Sequence, residues 1–173
     1  MKASLIKLNM LVQNDHGVYV HPAAQGDFAY SDGSETEQYL RTVLTEATDL
    51  SSHSDELKGH IRDWGSEYHL TPVRANLLRG FDLTSCKRVL ELGCGCGAIT
   101  RYLGEQGLIV DSVEGSPVRA ELAALRCRGL DNVTIATGNF NDFEFSEGAY
   151  DLVLYVGVTE YAGRFSDGLS DEE

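Results

Sequence analysis

Val89-Leu90-Glu91-Leu92-Gly93-Cys94-Gly95-Cys96-Gly97 leads from apolar residues through an acid into three glycines at alternate positions. The helix-forming stretch Ala98-Ile99-Thr100-Arg101-Tyr102-Leu103 follows at once. A buried strand that turns sharply into a helix brings bare backbone against whatever sits at the turn. Glycine permits this because it lacks a Cβ and tolerates positive φ. The exposed amides at the helix start favour negative charge there. These residues specify a nucleotide-cofactor loop.

Outward from the loop the chain alternates between strand and helix patterns. Residues 88–93 read as a strand and 98–106 as a helix ended by Gly107; 108–114 read as a second strand. A helix over 117–128, started by Ser116 and stopped by Gly129, precedes strands over 132–138 and 150–158. This rhythm predicts an α/β domain, a Rossmann-like parallel sheet with crossover helices.

Upstream, residues 5–20 carry two short apolar stretches around Asn14-Asp15-His16-Gly17 and predict a β-hairpin. Pro22 and Gly26 break the pattern. Ser34-Glu35-Thr36-Glu37 matches a capping box with Ser34 as N-cap, and Tyr39, Leu40, Val43, Leu44 and Ala47 continue at helical spacing. Ser51-Ser52-His53-Ser54 opens a second amphipathic stretch whose apolar face would carry Leu57, Ile61 and Trp64. Thr71-Pro72 starts a further helix, with Gly80 as its stop. The expected division is a hairpin-plus-helix extension over 1–70 that could form a substrate lid, a cofactor-binding core over 71–165, and an acidic, frayed tail over 166–173.

The chain's 173 residues and 42% apolar content suit one domain with a real core. No apolar run approaches the roughly 20 residues of a membrane span, so membrane insertion is not expected. The first residues, MKASLIKLNMLVQND, lack the features of a signal peptide. Four scattered cysteines make no disulfide scaffold, and a reducing cytoplasm is the expected location. Cys94 and Cys96 have no second pair at metal spacing, so no metal site is expected. A net charge of −13 argues against nucleic acid as a partner. Arg119, Arg126 and Arg128 read as a solvated helix face.

In a doubly wound sheet the ligand sits past the carboxyl ends of the strands. Three such ends are informative here. The first is the glycine loop. The second is Glu114, followed by Gly115, where a carboxylate can accept from both ribose hydroxyls. The third is Gly138-Asn139-Phe140, where an amide and a ring could hold an adenine edge and face. Gly93 to Ala98 also satisfies the dinucleotide pattern G-x-G-x-x-G/A, so an NAD-linked oxidoreductase is an alternative. Glu91 discriminates: a carboxylate beside the loop repels a diphosphate but welcomes the ammonium and sulfonium of S-adenosylmethionine.

With these motifs in order, residues 88–161 resemble the class I S-adenosylmethionine-dependent methyltransferases. VLELGCGCG is similar to their first motif, VDSVEGS (110–116) to their second, and GNF followed by YDLVLYVGV to their third and fourth. The resemblance implies that Glu91, Gly93, Cys94, Gly95 and Gly97 bind the methionine end of the cofactor. It places Glu114 and Gly115 at the ribose, Asn139 and Phe140 at the adenine, and Val156 and Gly157 beside the transferring methyl. That family has seven strands where only four are countable here, so a truncated chain with an open strand edge is expected.

YSDGSETE (30–37), DWGSEYHLTPVRANLLR (63–79), GAITRYLGE (97–105) and VGVTEYA (156–162) resemble a narrower group, bacterial methyltransferases found beside or fused to polysaccharide glycosyltransferases. This implies O-methylation of a saccharide or a polysaccharide precursor, and a glycosyltransferase domain in a longer parent protein. A non-catalytic fragment that scaffolds such an enzyme is a further alternative. Trp64 and Tyr68 are candidate substrate residues, although with Ile61 they share a helical face that also suits core packing. His69, off that stripe, and Tyr161 are candidate general bases.

Overall fold

The computed structural model describes residues 10–22 and 31–158. Tyr161, the acidic tail and the start of the predicted hairpin lie outside that range. The hairpin forms in a short version: β1 (Val12–Gln13) and β2 (Tyr19–Val20) pair antiparallel, Val12 opposite Val20. Its turn is fixed by the Asn14 side chain, whose Oδ1 accepts from the amides of His16 and Val18, both at 3.0 Å.

Helix α1 (Ser34–Glu46) begins one residue earlier than the capping box requires: its N-cap is Gly33, and Ser34 is already helical. The box fails because Glu37 turns to a different serine, accepting from Ser31 Oγ at 2.8 Å. Leu40, Val43 and Leu44 bury the inner face of α1, as their spacing predicts.

The second amphipathic stretch is two helices, α2 (Asp55–Gly59) and α3 (Trp64–Leu70). Asp63 forces the break. Its carboxylate accepts from the Ser66 amide at 2.8 Å, and Ser66 Oγ accepts from the Asp63 amide at 3.0 Å, a complete capping box that starts α3 anew. Ile61 therefore sits outside the helix that carries Trp64 and Tyr68. Core packing does not describe Trp64, whose side chain is 70% exposed.

Thr71 and Pro72 start a short 3-10 turn, Pro72–Ala75, which runs into α4 (Asn76–Arg79) and stops at Gly80. The alternation then follows as read: β3 (Arg88–Leu92), α5 (Ala98–Glu105), β4 (Ile109–Glu114), α6 (Pro117–Cys127), β5 (Val133–Thr137) and β6 (Leu152–Tyr155). The strands form one sheet in the order β1-β2-β5-β4-β3-β6. All neighbours are parallel except the β1–β2 pair, which makes this the predicted Rossmann-like sheet. Strand β2 joins β5 in parallel, Tyr19 opposite Ala136, so the hairpin extends the cofactor sheet and covers its edge. At the other edge, β6 leaves Val153 and Tyr155 exposed.

Alternation along β3 sorts the core into two layers. Val89 packs with Ile99, Tyr102 and Leu103 of α5, while Leu90 and Leu92 pack with Val113, Ala136 and Phe143 on the opposite face. Helix α6 is fixed to α1 by an ion pair between Arg41 and Glu121 at 2.7 Å.

The solvated arginine face on α6 is not what forms. Arg126 is only 1% exposed and donates to the carbonyl of His69 at 2.7 Å; Arg119 is 5% exposed. Arg128 donates to the terminal carbonyls of α1, Leu44 and Ala47. The N-terminal helices pack on α6, and these guanidinium groups take up carbonyls and a carboxylate that have lost water.

Candidate cofactor site

The order of strand growth reverses between β3 and β6, and a crevice at such a switch point is where an open α/β sheet binds ligands. The glycine loop stands at the carboxyl end of β3. Gly93, Gly95 and Gly97 have φ of +80°, +55° and +77°, so the alternation of glycines meets a backbone requirement.

The three differ in their surroundings. A Cβ at Gly97 would lie 2.9 Å from the Cα of Ala123 in α6, and one at Gly93 would lie 2.2 Å from a methyl of Val158. A Cβ at Gly95 would meet nothing within 4 Å. The loop is clamped at both ends and open in the middle, the shape of a cradle for a ligand.

Glu114 ends β4 directly opposite. Its Oε2 accepts from the Gly95 amide at 2.7 Å and its Oε1 from the Ser116 amide at 2.9 Å. Burial pushes its pKa up, against the pull of those two amides downward. Each carboxylate oxygen has acceptor capacity left, which suits it to a second, paired donor.

Glu91 is 2% exposed, between β3, β4 and α5. Thr100 Oγ and Ser112 Oγ donate to the same oxygen, Oε2, at 2.6 and 3.1 Å. Burial pushes its pKa up to about 7, helped by the negative charge of Glu114 and opposed by the two hydroxyls and by the positive charge of Arg74.

The other residues expected at the cofactor have varied settings. Gly115 follows Glu114 at the strand end and is half-buried. Cys94 and Cys96 are buried in different clusters, the first with Ala120 and Ala123, the second with Leu40 and Leu122; burial raises both thiol pKa values. Asn139 caps a short turn, its Oδ1 accepting from the Asn141 amide at 3.0 Å. Phe140 stands edge-on to Tyr155 on the rim of a cavity of about 460 Å³ also lined by Leu90, Leu92 and Phe143. Val156 packs against the cluster around α5, and Gly157, exposed, leads into Val158 over Gly93. The fourth motif thus closes on the first.

His69 occupies a different setting from the one its sequence position implies. It is buried, with Nε2 2.7 Å from Oδ2 of Asp32, and the same carboxylate accepts from Arg119. Burial works to raise the Asp32 pKa, but His69 and Arg119 outweigh it and hold the group below the usual carboxylate range. Arg119 follows Ser116 by one helical turn, its amide on Ser116 Oγ at 3.4 Å, so this triad fastens the segment before α1 beside Glu114. Asp32 carried no periodicity or spacing signal, and Arg119 was concealed in what read as a surface.

Removing the shared acceptor leaves the buried guanidinium of Arg119 without its counter-charge and the buried His69 ring without its hydrogen-bond partner. Asp32→Ala is expected to destabilise the fold by about 3 kcal/mol at pH 7. Because the folded pKa of Asp32 is depressed, its contribution is present above the unfolded value and is lost as pH falls through the folded one. Urea titrations of both proteins should therefore diverge at pH 7 and draw together as pH falls below the ordinary carboxylate range.

A Rossmann-like sheet and a glycine cradle at its switch point have the form of a nucleotide-cofactor domain. Residues 89–167 match the family model of a methyltransferase domain. The match agrees with a class I S-adenosylmethionine-dependent methyltransferase core and with that cofactor, rather than with an NAD-linked oxidoreductase. The demethylmenaquinone methyltransferase of Tropheryma whipplei strain Twist is 32% identical over 74 residues, covering 43% of this chain and 30% of that protein. Protein-L-isoaspartate O-methyltransferase 1 of Archaeoglobus fulgidus is 40% identical over 77 residues, covering 41% of this chain and 34% of that protein. This chain thus spans about a third of either relative. Among solved structures, the N-terminal domain of EvdMO1 with SAH bound is 28% identical, covers 50% of this chain and 37% of that one, and has a TM-score of 0.43.

Proposed function

We propose that this chain is the cofactor-binding part of an S-adenosylmethionine-dependent methyltransferase acting on an oxygen of a saccharide, in a parent protein linked to a glycosyltransferase. The observation that carries the cofactor reading is the arrangement around Gly95, an open glycine whose amide is held by the buried carboxylate of Glu114. The two relatives named above act, by their names, on demethylmenaquinone and on protein isoaspartate, so the shared segment tracks the cofactor and not the acceptor. The saccharide acceptor rests on the sequence resemblance and on the exposed Trp64 and half-buried Tyr68, whose ring centroids lie 5.5 Å apart.

In this reading Glu114 receives the ribose hydroxyls, and Gly93 to Gly97 with Glu91 hold the methionine end. Asn139 and Phe140 hold the adenine, and Val156 and Gly157 line the reacting side. The cofactor supplies a methyl group on a sulfonium. The protein's task is then alignment of the acceptor oxygen with that methyl. We assign His69 to positioning, since its ring is turned into Asp32; Tyr161, outside the described residues, is the proposed proton acceptor.

Calorimetry tests the cofactor. S-Adenosylhomocysteine is expected to bind and NAD not to; binding of NAD alone overturns the reading. The pH dependence adds a second check. Glu91 has a raised folded pKa, so the stability linked to its neutral form is present below its ordinary value, about 4.5, and is lost as pH rises through about 7. A ligand with an ammonium group favours the ionised carboxylate, so affinity should rise over that same upper range. Glu91→Gln should flatten both curves.

A further inference from the structure

Next to the cofactor cradle lies a cation with no ion pair among the described residues. Arg74 sits in the Pro72–Ala75 turn, whose Ala75 is buried with Ile99, Tyr102 and Leu103 of α5, the helix that the glycine loop begins. Its guanidinium lies over the Tyr68 ring, 4.2 Å from the centroid, and donates from Nη2 to the Tyr68 hydroxyl at 3.1 Å. Among the described residues it has no carboxylate partner, whereas Arg41, Arg62, Arg101 and Arg119 each have one. Arg79, Arg126 and Arg128 lack one too, but their guanidinium groups donate to backbone carbonyls. Arg74 is also close enough to Glu91 for its charge to pull that carboxyl's pKa down.

Trp64 completes the surface. Its indole, tilted 34° to the Tyr68 ring, is 70% exposed on the side away from the core. An open aromatic face is a platform for the C–H face of a sugar ring, since indole combines large apolar area with a polar edge. A guanidinium stacked on a neighbouring ring keeps in-plane N–H donors in a fork that fits carboxylate or phosphate oxygens. The field of a chain this acidic repels anions, so an anionic acceptor needs a local cation to bind at all.

We propose that Trp64, Tyr68 and Arg74 form an acceptor subsite for an anionic sugar, with Trp64 under the ring and Arg74 on a carboxylate or phosphate. The inference rests on the saccharide reading above and names the charge of the acceptor. Arg74 is its specificity-determining residue.

Trp64 is the chain's only tryptophan, so its fluorescence reports on this subsite alone. The full chain, saturated with S-adenosylhomocysteine, is titrated with glucuronic acid, glucose 6-phosphate and glucose. One or both anions should shift the emission saturably, with glucose at least tenfold weaker; which anion wins identifies the group that Arg74 holds. Arg74→Gln should abolish the preference for anions while leaving the glucose response unchanged, and Arg74→Lys should restore part of it. Thermal melts confirm that both variants fold. Equal responses to glucose and the anions, or a preference that survives Arg74→Gln, overturn the anionic subsite and leave the saccharide reading intact. No response to any sugar, with the homocysteine ligand still bound, overturns both.

Discussion

Glu114→Ala is expected to weaken binding of S-adenosylhomocysteine at least a hundredfold. The carboxylate lies at the end of β4 with one oxygen on the Gly95 amide and the other on the Ser116 amide. Two ribose hydroxyls donating to it would each contribute about 1.5–3 kcal/mol, as hydrogen bonds to charged groups do. Their joint loss is worth about two decades or more in affinity at roughly 1.4 kcal/mol per decade. The substitution also strips the acceptor from the open point of the loop, so the cradle loses both its ligand contact and its own restraint. Glu114→Gln keeps one carbonyl acceptor but sets an N–H₂ against the other amide, and should fall between the two. Calorimetry gives the affinities and thermal unfolding gives the stability of each variant. An unchanged dissociation constant in a folded Glu114→Ala protein removes this residue from the site.

The strands and helices around this carboxylate were legible in the sequence because their signals are local. Val89 to Gly97 specify a strand, a turn and a helix start within a few residues, and Ser116-Pro117 and Gly129 mark the ends of α6 as plainly. What escaped detection depends on groups far apart in the chain. Arg119 and Arg126 occupy positions that suit a solvated face until α1 and α3 cover them, and only then do Asp32 and the His69 carbonyl become their partners. The pairing of β2 with β5 is another such case: Tyr19 and Val20 announce a hairpin, but nothing nearby says which edge it will extend. At Trp64 the local signal misled. Its spacing from Ile61 and Tyr68 suggests one buried stripe, yet Asp63 and Ser66 hold a capping box that restarts the helix and turns the indole outward. Candidate residues on strand ends can be placed from the sequence because the fold fixes where strand ends go; the settings of Trp64 and His69 cannot, because only tertiary packing decides them.

Two neighbouring glycines should respond to the same substitution in opposite ways. Both have positive φ, so replacing either with alanine incurs a left-handed strain of about 1–2 kcal/mol. At Gly97 the new methyl would also meet backbone, Ala123 Cα at 2.9 Å, and helix α6 has to move to admit it. Overpacking of this kind costs about 1–3 kcal/mol more. Gly97→Ala should therefore lower stability by about 2–5 kcal/mol, summing the two effects. At Gly95 the methyl enters open space, and the stability loss should stop at the strain alone. Binding reverses the order. The open side of Gly95 is where a ligand would approach bare backbone, so Gly95→Ala should weaken S-adenosylhomocysteine at least tenfold in a protein that is still well folded. Gly97→Ala, measured at a temperature where it remains native, should retain most of its affinity. Denaturant titration beside calorimetry on the two variants separates a packing glycine from a ligand-facing one. Full affinity in Gly95→Ala would mean that the cofactor does not lie against this loop, and the assignment of Glu114 and Glu91 to its two ends would go with it.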